Sequence, residues 1–216
     1  GVLVSGIEDE VAQAVVFAIN TYLRSEAFNP ESPKLIRQGN TKDVLSALEA
    51  IESGTVSGLI SIGVNPVFSS PNGRALGEAI KNLEFSLSFS SKLDETASAS
   101  QFVAATPHYL ESWGDFEFKP GHFSLAQPTI RPLFDTRQFQ DVLLSWTGNI
   151  QTYYDVIKEN WSESILGSFK WNQVLHDGFF VVENTNVGKS LGSPFTNIDF
   201  LLSLFTNISM VFGSTN

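Results

Sequence analysis

Between Gly1 and Ala105 short apolar segments alternate with longer amphipathic ones, and this alternation restricts the fold more than any other feature. Gly1–Gly6 (GVLVSG), Val56–Ile62 (VSGLISI) and Phe85–Ser90 (FSLSFS) are each short and apolar, the pattern of strands buried in a parallel sheet. Phe102–Ala105 is a further apolar stretch, stopped by Thr106-Pro107. From Glu8 to Arg24, residues Val11, Val15, Ala18, Ile19 and Tyr22 share one helical face. Acidic residues open that segment and Arg24 closes it, as a helix dipole favours. Thr41 reads as the N-cap of a second helix with the buried stripe Val44, Leu45, Leu48 and Ile51, ended by Gly54. A short helix is expected around Ala75–Lys81. Strands alternating with helices require right-handed crossovers. The expected fold is therefore α/β: a doubly wound, mostly parallel sheet with helices on both faces.

The remainder is less regular. A loop with Asn29-Pro30 and Ser32-Pro33 precedes a short apolar stretch at Leu35-Ile36. Residues 106–136 are rich in Gly, Pro and aromatics and read as irregular chain. Helical signals return over 137–178, in Arg137–Trp146 and Tyr153–Trp161. One α/β domain over 1–183 is expected, with 184–216, rich in Asn, Ser, Gly and Phe, as an unassigned tail or appendage.

Charge and cysteine content exclude whole classes of chemistry. With a net charge of −10 and no basic cluster, the chain lacks the cationic face that nucleic acid or an anionic lipid surface would need. The absence of cysteine removes disulfides, thiolate zinc sites, Cys-ligated iron–sulfur clusters and thiol nucleophiles. No long uncharged apolar run predicts insertion in a membrane. His108, His122 and His176 stand at no metal-ligand spacing, and His176 reads as a polar residue at a helix end. Ser5-Gly6 and Ser57-Gly58 are turn punctuation rather than a nucleophile elbow.

Three places remain. Gly63-Val64-Asn65-Pro66 directly follows a strand, where doubly wound sheets expose backbone N–H groups to ligands. The alternative is a structural turn, in which Asn tolerates left-handed geometry and Pro halts the strand. Asp94-Glu95-Thr96 follows the next strand and also fits a helix N-terminus. Glu111, Asp115 and Glu117 could surround one loop, or simply be solvated acids beside Trp113.

In order along the chain, Gly63-Val64-Asn65-Pro66, Asp94-Glu95-Thr96-Ala97, Thr106-Pro107-His108 and Glu111 resemble the dinucleotide-binding α/β region of the dimethyl sulfoxide reductase and formate dehydrogenase superfamily of molybdopterin oxidoreductases. Leu110-Glu111-Ser112-Trp113-Gly114-Asp115, Gln127-Pro128-Thr129-Ile130 and Pro132–Arg137 resemble more closely the large iron–sulfur subunit of bacterial alternative complex III, a quinol-oxidising respiratory assembly. The resemblance runs from about Val2 to Gly178.

It implies cofactor-binding positions at Gly63, Asn65, Pro66, Glu95, Thr96 and Glu111, and no catalytic residue or metal ligand. In that superfamily two molybdopterin guanine dinucleotides lie between α/β domains. In alternative complex III this region is thought to have lost that cofactor, and the iron–sulfur clusters sit in a separate Cys-rich portion. Trp113 and Asp115, where cofactor-binding relatives have small and cationic groups, favour the loss: a pyrophosphate needs room and positive charge.

The expectation is a scaffold piece, inactive alone, of a parent quinol:acceptor oxidoreductase on the periplasmic side of a bacterial inner membrane. Its partners would be other domains of the parent chain and membrane and cytochrome subunits. An active molybdenum enzyme and a free-standing small-ligand module are the rivals.

Overall fold

The structure, a computed structural model, describes residues 1–30, 34 and 41–182. The turn at Ser32-Pro33, the pair Leu35-Ile36 and the tail 184–216 lie outside them. The chain divides into two compact units, Gly1–Pro33 with Val181–Asn216 and Lys34–Phe180.

In the first unit, α1 (Glu10–Leu23) begins at Asp9, whose carboxylate accepts the Ala12 N–H at 2.8 Å, and ends on Arg24 in the left-handed region (φ 47°). Gly1–Gly6, expected as a strand, pairs with no strand among the described residues. Extended backbone needs partners for its N–H and C=O groups, and here the helix supplies them. The buried Asn20 amide accepts from Leu3 N–H at 2.7 Å and donates to Leu3 C=O at 2.8 Å, and Gln13 donates to Ser5 C=O at 3.3 Å.

The second unit starts with α2 (Thr41–Glu52), then β1 (Gly58–Ile62), α3 (Pro66–Ser69), α4 (Gly73–Lys81), β2 (Phe85–Ser90), α5 (Glu95–Ala99) and β3 (Phe102–Ala105). The three strands form a parallel sheet in the order β1-β2-β3, with Ile60 beside Leu87 and Leu87 beside Phe102.

Period-two alternation gives this sheet two unlike faces. Leu59, Ser61, Ser86 and Ser88 share one. Above it Ile51, Leu76, Ile80, Leu83 and Ala99, from α2, α4, α5 and the turn after α4, form the core cluster. Leu76 and Ile80 are fully buried, each contributing about 1.5–3 kcal/mol. The opposite face carries Ile60, Leu87 and Phe89. There Phe139 and Trp146 of α6 (Phe139–Trp146) meet Phe89 edge-on, with centroids at 4.9 and 6.1 Å. Helices thus flank both faces of a parallel sheet, the α/β arrangement that the alternation predicts.

Gly73 has a specific role in this packing. A Cβ there would stand 1.8 Å from Val67 C=O, so only glycine lets α4 begin against α3.

Residues 106–136, read from sequence as irregular, contain an ordered hairpin. After a 3₁₀ turn at Tyr109–Glu111, β4 (Gly114–Lys119) and β5 (His122–Ala126) pair antiparallel with a bulge between Glu117 and Lys119. β6 (Phe179–Val181) completes the sheet in the order β4-β5-β6. α7 (Tyr153–Asn160), a π-helical turn at Trp161–Ile165 and α8 (Trp171–Asp177) precede β6. They bury Ile157, Trp161, Leu166, Trp171 and Val174, as the hairpin buries Phe123. Gly178 caps α8 in the left-handed conformation (φ 75°).

Candidate functional site at the strand ends

The loops after β1 and β2 meet at the carboxyl end of the parallel sheet. Gly63 leaves β1 with φ 61° and donates its N–H to Phe89 C=O at 2.9 Å. Asn65 N-caps α3 and Pro66 occupies the first turn, where its missing N–H costs nothing. Asn65 Oδ1 accepts from Phe68 N–H at 3.3 Å, Thr96 N–H at 3.2 Å and Thr96 Oγ1–H at 2.8 Å. Its Nδ2 donates to Glu95 Oε2 at 2.7 Å. Thr96 is fully buried, and its Oγ1 in turn accepts from Val67 N–H at 3.1 Å. Asp94 caps α5 by accepting from Ala97 N–H at 2.9 Å. The structure therefore brings Asn65, Pro66, Glu95 and Thr96 together, with Gly63 at the start of the loop. Glu111 does not join them. It lies in the 3₁₀ turn, accepting from His108 N–H at 3.2 Å while His108 Nδ1 accepts from Leu110 N–H at 3.3 Å.

This arrangement is poor in free donors. Helix N-termini bind anions through unspent first-turn N–H groups. In α3, Pro66 has none, Val67 serves Thr96, and Phe68 and Ser69 serve Asn65. In α5, Thr96 N–H serves Asn65 and Ala97 N–H serves Asp94. Glu95 adds negative charge: the Asn65 amide, and then its own backbone N–H, hold its carboxyl below the ordinary glutamate range. A cavity of about 490 Å³ adjoins the loop, where Arg74 and Lys81 face Glu78, Asp94 and Glu95. Lys81 is paired with Glu78 at 2.8 Å. Three carboxylates against two cations leave no net attraction for a pyrophosphate. The residues present do not fit the diphosphate of a molybdopterin guanine dinucleotide.

The acidic trio that the sequence groups together is separated by the fold. Glu111 caps a turn. Glu117 pairs with Lys34 and accepts from Gly121 N–H at 2.9 Å. Asp115 faces inward, accepting from Trp161 Nε1–H at 2.9 Å and Tyr153 O–H at 3.2 Å. Burial, and then the Asp115 charge, push the Tyr153 hydroxyl far above the ordinary tyrosine range. Trp113 lies against Tyr154 with centroids at 4.6 Å. The sequence singles out Asp115, but with Glu111 and Glu117 rather than with this aromatic cluster, because Tyr153 and Trp161 lie 38 and 46 residues from it. Among the described residues no group of three or more His, Asp or Glu could hold a metal ion, and no helix is long and apolar enough to cross a membrane.

No family model matches the chain. Over 109 residues it is 30% identical to the menaquinone reductase molybdopterin-binding-like subunit of Nitratidesulfovibrio vulgaris, covering 49% of this chain and 16% of that one. The chain is similar to a molybdopterin-binding-like oxidoreductase subunit. Over 102 residues it is 28% identical to the NADPH-Fe(3+) oxidoreductase subunit alpha of Geobacter sulfurreducens, covering 47% and 12%. The chain thus spans less than a fifth of the length of either relative. Among solved structures, acetylene hydratase from Pelobacter acetylenicus superposes with a TM-score of 0.48 at 11% identity, over 64% of this chain and 20% of that one.

Proposed function

We propose that this chain is a scaffold domain of a molybdopterin-oxidoreductase-like respiratory subunit, holding no redox cofactor of its own. The observation that carries the reading is the closed Asn65–Glu95–Thr96 network, which spends on the protein itself the donors that a nucleotide diphosphate would use. The molybdopterin-binding-like naming of one relative agrees with it. In this reading the parent is a quinol:acceptor oxidoreductase of the alternative complex III kind, on the periplasmic side of a bacterial inner membrane. The domain packs against sister domains of its parent chain. Those domains, not this one, carry the iron–sulfur clusters and contact membrane and cytochrome subunits. Gly63, Asn65, Pro66, Glu95, Thr96 and Glu111 are then vestiges of cofactor-binding positions. Metal and pterin analysis of the full-length parent tests this: the expected result is iron without molybdenum, and molybdenum near one equivalent overturns it.

A second reading, an active molybdenum enzyme, is favoured by the place of the loop at the carboxyl end of β1, where ligands sit in open α/β sheets. It requires that Asn65→Ala lower cofactor occupancy in the intact parent.

A further inference from the structure

Three of the four tryptophans and two of the four tyrosines of this chain gather in the second unit around one carboxylate. From the part-exposed Trp113, ring contacts run without a gap to Tyr154 (4.6 Å between centroids), Trp171 (6.1 Å) and the fully buried Trp161 (6.1 Å). Trp171 Nε1 donates to Tyr154 Oη at 3.2 Å. At the inner end Asp115 bridges Trp161 Nε1 and Tyr153 Oη with its two oxygens. Indole and phenol are the side chains most easily oxidised by one electron once sulfur is set aside, and sulfur is nearly absent: the chain has no cysteine and one methionine. A packed core needs apolar volume, which the 18 phenylalanines of this chain could supply. It does not need oxidisable rings in series, or a carboxylate placed to take the proton of each of the last two.

We propose that Trp113, Tyr154, Trp171, Trp161 and Tyr153 form a hole-transfer relay, with Asp115 as its proton acceptor. A one-electron oxidant of the high-potential metal-complex class removes an electron at Trp113. Electrons then pass outward ring by ring until the vacancy reaches Trp161, whose Nε1 proton moves to Asp115 Oδ2 and leaves a neutral indolyl radical. Tyr153 next gives its electron to Trp161. Trp161 takes back a proton from Asp115, and the phenolic proton of Tyr153 replaces it on Oδ1. The end state is a buried tyrosyl radical beside a protonated Asp115, one electron having left the protein. The same route run backward drains a buried oxidising equivalent to the surface. The inference does not depend on the scaffold reading, since it needs no bound cofactor.

Flash photolysis with a photogenerated tris(bipyridyl)ruthenium(III) oxidant tests it. The reference is the full chain with the exposed Tyr22, Tyr109 and Trp146 changed to Phe, which removes direct oxidation at those rings. A transient tryptophanyl absorbance is expected first, converting to a tyrosyl signal in optical and electron paramagnetic resonance spectra. Tyr153→Phe, which removes only a hydroxyl, should abolish the conversion and leave a long-lived neutral tryptophanyl radical. Asp115→Asn should prolong the protonated radical cation. Trp171→Phe, checked for native circular dichroism, should confine oxidation to Trp113 and Tyr154. A tyrosyl signal of unchanged yield and rate in Tyr153→Phe overturns the relay.

Discussion

Asn65 Oδ1 stands 2.8 Å from Thr96 Oγ1, tying the loop after β1 to the first turn of α5 through an oxygen that also caps α3. One amide thereby fixes two helix starts, and its neighbours are arranged around it.

Replacing Asn65 by alanine removes a cap and strands the buried Thr96 hydroxyl and N–H. A cap costs about 1 kcal/mol and an unsatisfied buried polar group about 1–3. Urea unfolding of Asn65→Ala should therefore show a loss of about 3 kcal/mol. A loss under ~1 kcal/mol would mean that the network is incidental.

The Glu95 carboxyl should titrate below an ordinary glutamate, because the Asn65 amide donates to its charged form. A depressed folded value stabilises the native state above the unfolded value of 4.5, and that contribution fades as pH falls through the folded one. Carboxyl NMR titration should show the Glu95 midpoint rising in Asn65→Ala, and an unmoved midpoint would count against the hydrogen bond.

Gly73→Ala should destabilise by about 1–3 kcal/mol or more, since the added methyl meets rigid Val67 backbone rather than a yielding side chain. Gly77→Ala, whose methyl would meet Val67 Cγ1 at 3.4 Å, should cost less. Thermal unfolding of the two variants side by side gives the ranking, and the reverse order would refute the close approach of α3 and α4.

Asp115→Ala leaves the Trp161 indole N–H and the Tyr153 hydroxyl without their acceptor. Two such losses at about 1–3 kcal/mol each should cost about 2–6 kcal/mol and redden the tryptophan emission as the cluster loosens. Stability and emission both unchanged would show that the carboxylate is dispensable to the lobe.

The parallel sheet was legible because its determinants are local. VSGLISI and FSLSFS carry strand composition, and the helix between them carries its own periodicity. The Asn65 cap was not: Gly63-Val64-Asn65-Pro66 reads as a turn with Asn in left-handed backbone, whereas Asn65 has φ −124° and opens the four-residue α3, too short to show a periodicity. The hairpin was not, although Phe116, Phe118, Phe123 and Leu125 alternate around Pro120-Gly121. Surrounding Gly, Pro and aromatic residues drowned a period of two in turn signals, and the bulge at Glu117 shifts it. Gly1–Gly6 shows the opposite failure: it has strand composition but no strand to pair with among the described residues, and Asn20 supplies hydrogen bonds to Leu3 instead. The inward turn of Asp115 had no sequence signal, because its partners come from α7 and the π-helical turn.

The serine-bearing side of β1 and β2 sets a direction for tolerated change. Ser61 and Ser88 are buried with hydroxyls that find no partner among the described residues, so alanine at either should be neutral or mildly favourable. Valine or leucine there would pry α4 off the strands. On the far side Phe102 and Ile62 are 57% and 42% exposed and have room to grow. Descendants of this sequence are therefore free to enlarge toward one side of the sheet only, and a register of substitutions across variants should be lopsided in that sense.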